Sequence, residues 1–575
     1  MNRTQTEEIR VHWERFRAQI EETGNLLRGQ NMPTLTEELF SLYEKTGNRL
    51  IYENEYFERR RFLAVFGLLS IWYRRKEDLS KLTEVIEDIC REKTWALPAH
   101  VDRQTPGWER TVDLFASETG QTLSQIIAYL KDVLNPELVK KVKELVTDRL
   151  LDSYMEVPRG EWRWEKMYNN WVAVCAGSLG SMALYLLDDE PEKQQKIVER
   201  VCDTMPDYLE GMYDDGTCPE GLSYFTYGMV YYTGFARQLE EKTRGKIRLM
   251  DQEKVRKIAG FQQKCYFPGG KTVSFSDGSN TARFRLGLTC YLAGTVDGVE
   301  IPDVNAAMDF EDDHCYRFMG NFQDDCWVKE YLEKNHEAQT KKEWFSVLPD
   351  AQWAVWKTEE YGIAIKGGHN GEPHNHNDVG SFQVTADGEV FLTDLGCGEY
   401  TKEYFAEDTR YQLLCNRSLG HSVPLLNGKE QKTGIEYGAE VFREEEGTVF
   451  LRFAKAYGCQ SILERSLKCE EDQSTFTLKD YLEDQEGACH LTENLVTQIE
   501  PSITGNKICL KGEKGTLELE LSGKGTVEVK KEMFRNHRGK DEEVFLLQWP
   551  VPEKENRAEC IIYGRYISHK QNKED

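Results

Sequence analysis

The chain has 575 residues, a formal net charge of −26, and 30% charged against 39% hydrophobic residues. This length exceeds what one hydrophobic core usually supports, so two or more domains are expected. The negative charge argues against general binding to nucleic acid or to an anionic membrane, because both need a basic surface. We therefore expect no nucleic-acid and no membrane partner, and an acidic substrate would require a local basic pocket.

Signals for export or membrane insertion are not apparent in the sequence. The first residues, "MNRTQTEEIRVHWERF", lack the apolar region of a signal peptide, and no apolar run reaches the length of a membrane span. The fifteen cysteines form no CxxC pair and are expected to be reduced thiols. Together these features predict a cytoplasmic protein, and they leave a homo-oligomer open.

Up to about residue 335 the pattern is helical. The segments "RRRFLAVFGLLSIWYRR", "LSKLTEVIEDICREK" and "PELVKKVKELVTDRLLDSY" repeat apolar residues at three- and four-residue spacing. The segment "NNWVAVCAGSLGSMALYLL" is apolar or small nearly all round, as a helix buried on several sides would be. Consecutive helices with short turns predict stacked antiparallel pairs that form an open or closed toroid over residues 1–340.

From about residue 345 the pattern changes to strands. The segment "FQVTADGEVFLTDLG" alternates around Asp387-Gly388, a favoured two-residue hairpin turn. The segments "STFTLKDYLED" and "ECIIYGRYIS" continue in the same way. Many short strands without helices between them predict an antiparallel β-sandwich over residues 341–575. The polar stretch "EYLEKNHEAQTKKEW" is the predicted linker between the two domains.

The motif "PHNHNDVGSF", residues 373–382, places His374, His376 and Asp378 at alternate positions. In an extended strand these three side chains would share one face, and Asn375 and Asn377 would share the other. Two imidazoles this close indicate a metal site, an acid/base site, or one of each. A polar loop with incidental histidines is the alternative.

Further metal ligands are available downstream of this motif. Asp394 follows in "FLTDLGCGEY" and His421 in "NRSLGHSVPL". Strand pairing around the Asp387-Gly388 turn would bring Asp394 close to the histidines. Because zinc sites combine imidazole nitrogen and carboxylate oxygen from separate segments, zinc is a plausible ligand here.

Two motifs of the helical region also contain candidate site residues. Asn169 and Asn170 precede Trp171 at the start of a predicted helix, where asparagine serves either as a helix cap or as a pocket residue. The segment "DDGTCPEGLSYFTYG", residues 214–228, is rich in glycine and then in aromatic residues. A tyrosine in a groove can donate or accept a proton, whereas packing between helices is the simpler interpretation.

The motifs "HNHNDVGSFQV", "TDLGCGEYTKEYF" and "RYQLLCNRSLGHSVPLLNGKEQ" together resemble the signature of the heparinase II/III-like polysaccharide lyases. Upstream, "WALPAHVDRQTPGWERTVDLFASETG", "NNWVAVCAGSLG" and "DDGTCPEGLSYFTYG" are similar to the helical domain of that superfamily in order and spacing. The resemblance implies an incomplete (α/α) toroid followed by an antiparallel β-sandwich, with the cleft between them. It also implies β-elimination of uronic-acid-containing oligosaccharides or polysaccharides, which leaves 4,5-unsaturated uronate ends.

The resemblance also implies roles for individual residues. Asn170 would neutralise the substrate carboxylate, Tyr224 would be the catalytic tyrosine, and His374 would act as base or charge partner. The residues expected to contact the substrate are Asn169, Trp171, Glu220, Tyr227 and Arg410. The residues expected to hold a zinc ion, in a structural role, are His376, Asp394 and His421.

Two other functions fit the same architecture. A hydrolase that removes unsaturated uronyl residues also uses a helical toroid, but it relies on carboxylates, and no pair of acidic residues is as prominent as His374. The chain could also be a catalytically silent relative that only binds carbohydrate. The sequence does not select the glycan among chondroitin, hyaluronan, heparin and alginate.

Overall fold

The computed structural model describes residues 3–334, 343–470, 474–484, 490–523 and 526–569. The central part of the predicted linker, and with it the predicted boundary at residue 340, lies outside the described residues. The cysteines among the described residues have free thiols.

Helices dominate the chain before residue 335, as the periodicity predicts. In chain order the α-helices of the described residues are α1 Arg3–Leu27, α2 Glu37–Phe40, α3 Leu42–Thr46, α4 Leu50–Tyr73, α5 Lys76–Cys90, α6 Leu114–Leu130, α7 Pro136–Val146, α8 Ser153–Glu156, α9 Asn170–Leu186, α10 Pro191–Glu210, α11 Leu222–Lys242, α12 Glu253–Ala259, α13 Phe261–Lys264, α14 Leu286–Thr295, α15 Phe318–Leu332 and α16 Lys402–Phe405. A π-helical segment, Thr147–Asp152, joins α7 to α8.

The small residues of α9 explain its position between other helices. This helix packs against α6 and α10 and is buried along nearly its whole length, as its composition predicts. A Cβ atom at Gly177 would lie 2.8 Å from the carbonyl oxygen of Tyr231, and one at Gly180 would lie 2.3 Å from the ring of Phe235. Both contacts belong to α11, so glycine in α9 permits the close approach of these two helices.

Strands are the main regular element of the described residues after residue 343. In chain order they are β1 Phe345–Leu348, β2 Trp353–Lys357, β3 Tyr361–Lys366, β4 His369–Asn370, β5 Phe382–Ala386, β6 Glu389–Leu392, β7 Leu425–Leu426, β8 Gly434–Gly438, β9 Val441–Glu445, β10 Thr448–Arg452, β11 Ile462–Glu470, β12 Thr475–Glu483, β13 Leu491–Thr497, β14 Pro501–Thr504, β15 Lys507–Lys511, β16 Gly515–Leu521, β17 Glu528–Arg535, β18 Asp541–Pro550, β19 Glu553–Lys554 and β20 Arg557–Ser568.

These strands pair in antiparallel sheets. One sheet has the order β1-β2-β3-β5-β6, a larger one β14-β15-β16-β20-β12-β11-β10-β9, and a third β17-β18-β13-β7, while β4 pairs with β8. Ile363 and Phe382 of the first sheet share a buried core with Phe476 and Leu517 of the second, as in a sandwich. The predicted β5–β6 hairpin is confirmed, with Asp387 and Gly388 both at positive φ in its turn.

The contacts of the chain define two compact units. A helical unit comprises Met1–Met212, Tyr224–Ala259 and Arg283–Gln339, and a β unit comprises Tyr213–Ser223, Gly260–Ala282 and Thr340–Asp575. The predicted helical domain, residues 1–340, includes the segments 213–223 and 260–282, yet both segments belong to the β unit. One reason is Asp215, whose Oδ2 accepts the backbone N–H groups of Asp350 and Ala351. Backbone contacts of this kind leave no periodicity in the sequence.

Candidate functional site

A fully buried carboxylate, that of Asp277, lies at the centre of the site in the β unit. Among the described residues, the side chains that donate hydrogen bonds to it are His374, His376, Tyr400, Tyr404 and Arg410. The acidic side chain is thus surrounded by donors from segments far away in sequence.

The two oxygens of Asp277 divide the two histidines between them. Oδ2 accepts a hydrogen bond from Nδ1 of His374 at 2.6 Å, and Oδ1 accepts one from Nε2 of His376 at 3.1 Å. Burial alone would raise the pKa of Asp277, but the hydrogen bonds from both histidines and the charge of Arg410 hold this pKa well below its ordinary value. The carboxylate is therefore ionised, and it can only accept hydrogen bonds.

His374 lies between two carboxylates. Its Nδ1 faces Asp277, and its Nε2 lies 3.4 Å from Oε2 of Glu220, which is also buried. Burial lowers the pKa of His374, whereas the hydrogen bond and charge of Asp277 and the charge of Glu220 raise it, and the net direction is upward. This environment favours the imidazolium form of His374.

The histidine motif forms a loop, so the prediction of an extended strand with alternating faces is wrong. The described backbone between β4 and β5 has no strand, and His374 adopts a positive φ of 56°, a region that histidine enters more readily than most residues. The motif nevertheless separates its side chains by function. The histidines reach Asp277, while Asn375 accepts from the Tyr411 hydroxyl at 2.8 Å and Asn377 donates to Thr433.

Asp378, the third ionisable residue of the motif, is part of a separate ion pair. Its Oδ1 lies 2.9 Å from Nζ of Lys366, and both side chains are buried. Asp378 therefore neutralises the buried charge of Lys366, and this pairing accounts for the residue without a role at the Asp277 site.

The three predicted metal ligands do lie together in the β unit. One ligand atom from each of His376, Asp394 and His421 lies within 4.8 Å of the other two, and all three side chains are buried. The imidazole rings of His376 and His421 are 5.2 Å apart between centroids. Asp394 therefore lies close to the histidines, as the predicted strand pairing around Asp387-Gly388 requires.

Hydrogen bonds on the far side of each ring suit a metal ion. Nε2 of His421 lies 2.9 Å from the carbonyl oxygen of Cys415, and Nε2 of His376 faces Asp277. Because both partners only accept, both Nε2 atoms carry the proton, so Nδ1 is the atom with which each ring, when neutral, could bind a metal ion. Nδ1 of His376 is buried without a hydrogen-bond partner.

Asp394, the third predicted ligand, faces His421 through two atoms that both carry lone pairs. Nδ1 of His421 lies 3.1 Å from Oδ2 of Asp394, and two acceptors this close require a cation or a shared proton between them. Two imidazole nitrogens and a carboxylate oxygen are a ligand set that zinc accepts. The residues present therefore fit the expected ion.

In the helical unit, Asn169 and Asn170 have different environments. Asn169 is the N-cap of α9, and its side chain accepts the backbone N–H of Trp171 at 3.1 Å. The capping interpretation thus describes Asn169. Asn170 is buried, and its Oδ1 has no hydrogen-bond partner among the described residues. The ring of Trp171 packs edge-to-face on His100, at 4.8 Å between centroids.

The two tyrosines of α11 also differ. Tyr224 lies in the first turn of the helix and is half-buried. The hydroxyl of Tyr227 donates to Oε1 of Glu118 at 2.5 Å, and the guanidinium of Arg317 lies over its ring at 4.1 Å. The Tyr227 hydroxyl is therefore already engaged, and its predicted role in substrate binding stays a prediction, as does that of Tyr224.

The sequence does not point to Asp277, the residue at the centre of this site, and it does not predict the surroundings of Arg410. The segment "SFSDGSN" around Asp277 has the composition of an ordinary turn, and no spacing relates it to the histidines. Arg410 contacts Asp277 and donates from Nη2 to the backbone oxygen of Asn375 at 3.0 Å. Its predicted contact with substrate stays a prediction.

The chain thus has two parts, a helical unit and a β unit of antiparallel sheets, and the β unit contains the buried His–Asp centre. This organisation is the one predicted from the sequence. Residues 340–560 match the family model described as "Heparinase II/III-like, C-terminal". This part of the chain is therefore a heparinase II/III-like C-terminal domain, and it contains His374, His376, Asp394, Arg410 and His421. No curated protein matches the chain in sequence.

Solved structures with a similar fold span nearly the whole chain. Heparinase III is 14% identical, with 98% of this chain and 92% of that chain covered and a TM-score of 0.63. The heparan sulfate lyase HepC from Pedobacter heparinus is 12% identical, with coverages of 97% and 88% and a TM-score of 0.59. The chondroitin AC lyase of Streptomyces coelicolor A3 is 11% identical, with coverages of 98% and 80% and a TM-score of 0.55.

Because these sequence identities are low, the similarity to the solved structures shows a shared fold and no more. It confirms the predicted fold class, an N-terminal incomplete (α/α) toroid followed by a C-terminal antiparallel β-sandwich. Among the described residues, no helix is long and apolar enough to span a membrane.

Proposed function

We propose that this chain is a lyase that cleaves uronic-acid-containing glycans by β-elimination. The observation that carries the proposal is the imidazole of His374 between the carboxylates of Asp277 and Glu220, inside a heparinase II/III-like domain. The similar folds of the heparan sulfate and chondroitin lyases support an acidic polysaccharide or oligosaccharide as the substrate.

The reaction removes the proton on C5 of the uronate and expels the oxygen linked to C4. The C5 proton becomes acidic enough only when the neighbouring carboxylate is neutralised, since negative charge then spreads onto that group. An imidazolium at His374 suits this task, because it carries positive charge. We assign His374 to charge stabilisation and not to proton abstraction.

The remaining roles rest on the resemblance in sequence. Tyr224 would take the C5 proton and return a proton to the leaving oxygen, and Asn170 would bind the substrate carboxylate. The buried Oδ1 of Asn170 has no described partner, which suits a residue that awaits a ligand. Arg410 would contribute positive charge near His374.

We also propose that His376, Asp394 and His421 hold a zinc ion with a structural role. The support is the buried ligand set and the lone pair of His376 Nδ1. When bound, the ion would supply positive charge and a fixed link between three separate segments of the β unit. The loop of His376 also contains His374, so the ion would stabilise the conformation of the catalytic residue without touching the substrate.

The test is incubation of the purified protein with a panel of heparan sulfate, heparin, chondroitin, hyaluronan and alginate oligosaccharides. A rise in the ultraviolet absorbance of the 4,5-unsaturated uronate with one substrate supports the lyase and identifies its glycan. Loss of a pre-existing band would instead indicate a hydrolase of unsaturated uronyl ends. Binding without any change in absorbance would indicate a carbohydrate-binding relative.

A further inference from the structure

Asp277 connects the proposed catalytic histidine to the proposed metal ligand through a single side chain. His374 binds one of its oxygens and His376 the other, at 2.6 and 3.1 Å. Both histidines stand on one short loop, yet each ring turns a different nitrogen toward the carboxylate: Nδ1 in His374 and Nε2 in His376. The opposite nitrogens are therefore the ones presented to Glu220 and to the metal ligands.

The backbone around Asp277 is fixed from several sides. Three residues before it, the N–H of Ser274 donates to Oε1 of Gln383 at 3.0 Å, and the Ser274 hydroxyl donates to the backbone oxygen of Asp394 at 3.2 Å. On the other side, a Cβ atom at Gly396 would lie 2.2 Å from the carbonyl oxygen of Gly278, and Gly396 has a positive φ of 63°. The carboxylate is thus held against the segment that carries Asp394.

We propose that Asp277 is a positioning residue that orients both histidines at once, His374 for the substrate and His376 for the metal ion. Because a carboxylate only accepts hydrogen bonds, it requires a proton on Nδ1 of His374 and on Nε2 of His376. The second requirement leaves Nδ1 of His376 free to bind a metal ion. Proteins commonly fix a metal-bound histidine through such a carboxylate.

The substitution Asp277→Asn tests this role because an amide has one oxygen and one NH₂ group. Whichever way the amide is turned, one of the two histidines faces a donor in place of an acceptor, and both lose the negative charge that strengthens their hydrogen bonds. The proposal rests on the proposed function for its effect on turnover, but its effect on metal binding is independent of any activity. The zinc affinity of D277N should fall by about 10- to 100-fold.

Four proteins separate the two effects: wild type, D277N, H374A and the double variant D277N/H374A. Turnover of D277N should fall with little change in KM. In the H374A background, D277N should have little further effect on turnover, because Asp277 affects turnover only through His374. The loss of zinc affinity should persist in that background, because it acts through His376. A purely structural role of Asp277 would lower turnover equally in both backgrounds.

Asp387→Asn is a matched control, because Asp387 also accepts two hydroxyl hydrogen bonds in the β unit, from Tyr566 at 2.7 Å and Ser568 at 3.1 Å. This variant should keep the zinc affinity of the wild type. If D277N also keeps it, the proposal is overturned. A wild type that binds zinc but cleaves no glycan would refute the proposed function and leave the metal part of the proposal standing.

A direct measurement on the wild type does not depend on the folding of D277N. Long-range proton–nitrogen spectra of the metal-free protein labelled with ¹⁵N-histidine report which ring nitrogen carries the proton. His376, assigned as the signal missing from H376A, should be protonated on Nε2 and bare on Nδ1. Protonation on Nδ1 would contradict the proposal irrespective of the behaviour of D277N.

Discussion

Oε2 of Glu220 and Nε2 of His374 lie 3.4 Å apart, and both side chains are largely removed from solvent. Glu220 comes from the segment 213–223, which belongs to the β unit although it lies within the helical part of the sequence. With Asp277 on the opposite side, the imidazole ring of His374 has a carboxylate near each nitrogen. Removing either negative charge should weaken the imidazolium form.

We therefore expect Glu220→Gln to lower the rate of elimination by about tenfold or more, since about 1.4 kcal/mol of lost stabilisation corresponds to a factor of ten. Initial rates at saturating oligosaccharide measure the effect. Glu372→Gln is the matched control, because Glu372 is also buried in the β unit and accepts from the Tyr213 hydroxyl at 2.8 Å, a bond that glutamine can keep. Equal rates for E220Q and wild type would remove Glu220 from the site.

The parts of the fold that the sequence predicts are those set by local patterns. The amphipathic helices α5 and α7 and the buried helix α9 follow from the spacing of apolar residues. The β5–β6 hairpin follows from Asp387-Gly388, because that pair favours the positive φ values of the turn. These features depend on neighbours in the chain, which are visible in the sequence.

The centre of the site depends on distant contacts, and there the prediction is incomplete. The histidine motif alternates like a strand, but the positive φ of His374 and of Gly380 bends it into a loop. The cluster of His376, Asp394 and His421 is predicted because these residue types are distinctive. Asp277 is not, because aspartate before glycine is common in turns and its partners lie about a hundred residues further along the chain.

Metal analysis tests the proposed zinc site. The purified protein should contain about one zinc ion per chain, and a strong chelator should lower its thermal midpoint, because an ion that binds only the folded state stabilises that state. His376→Ala should release zinc and destabilise the β unit. His374→Ala is the control: it should keep zinc while losing turnover. Equal loss of zinc from both variants would refute the division of roles between the two histidines.

The tyrosines of α11 should give opposite results when each loses only its hydroxyl. Tyr224→Phe should leave folding nearly intact and lower turnover by about 10²- to 10⁴-fold, the range for a lost acid/base group. Tyr227→Phe should instead lower the free energy of unfolding by about 1–3 kcal/mol, because Glu118 is buried and loses a donor. Rate measurements and denaturant titrations of both variants separate the two cases. Full activity of Y224F would make Tyr227 the next candidate.

Arg465 supports the site from within the sandwich. Its fully buried guanidinium donates to both carboxylate oxygens of Asp480, at 2.8 and 2.6 Å. It also donates to the backbone oxygens of Gly380 at 2.6 Å and Ser422 at 2.8 Å. Gly380 closes the histidine loop and Ser422 follows His421, so one side chain of β11 holds two of the segments that carry proposed metal ligands.

Arg465→Met should therefore cost about 3–5 kcal/mol of unfolding free energy, because it leaves a buried aspartate and two backbone oxygens without their donor. Arg465→Lys should restore only part of this loss, since an ammonium group lacks the planar fork that serves Asp480 and both loops. Arg452→Met is the control: Arg452 of β10 pairs with Glu464 on the neighbouring strand, but both side chains are about 40% exposed or more, and its loss should cost at most about 1 kcal/mol. Denaturant titrations of the zinc-loaded and zinc-free proteins would show whether R465M also weakens metal binding. Equal stabilities of R465M and R452M would show that the two loops hold their conformation without Arg465.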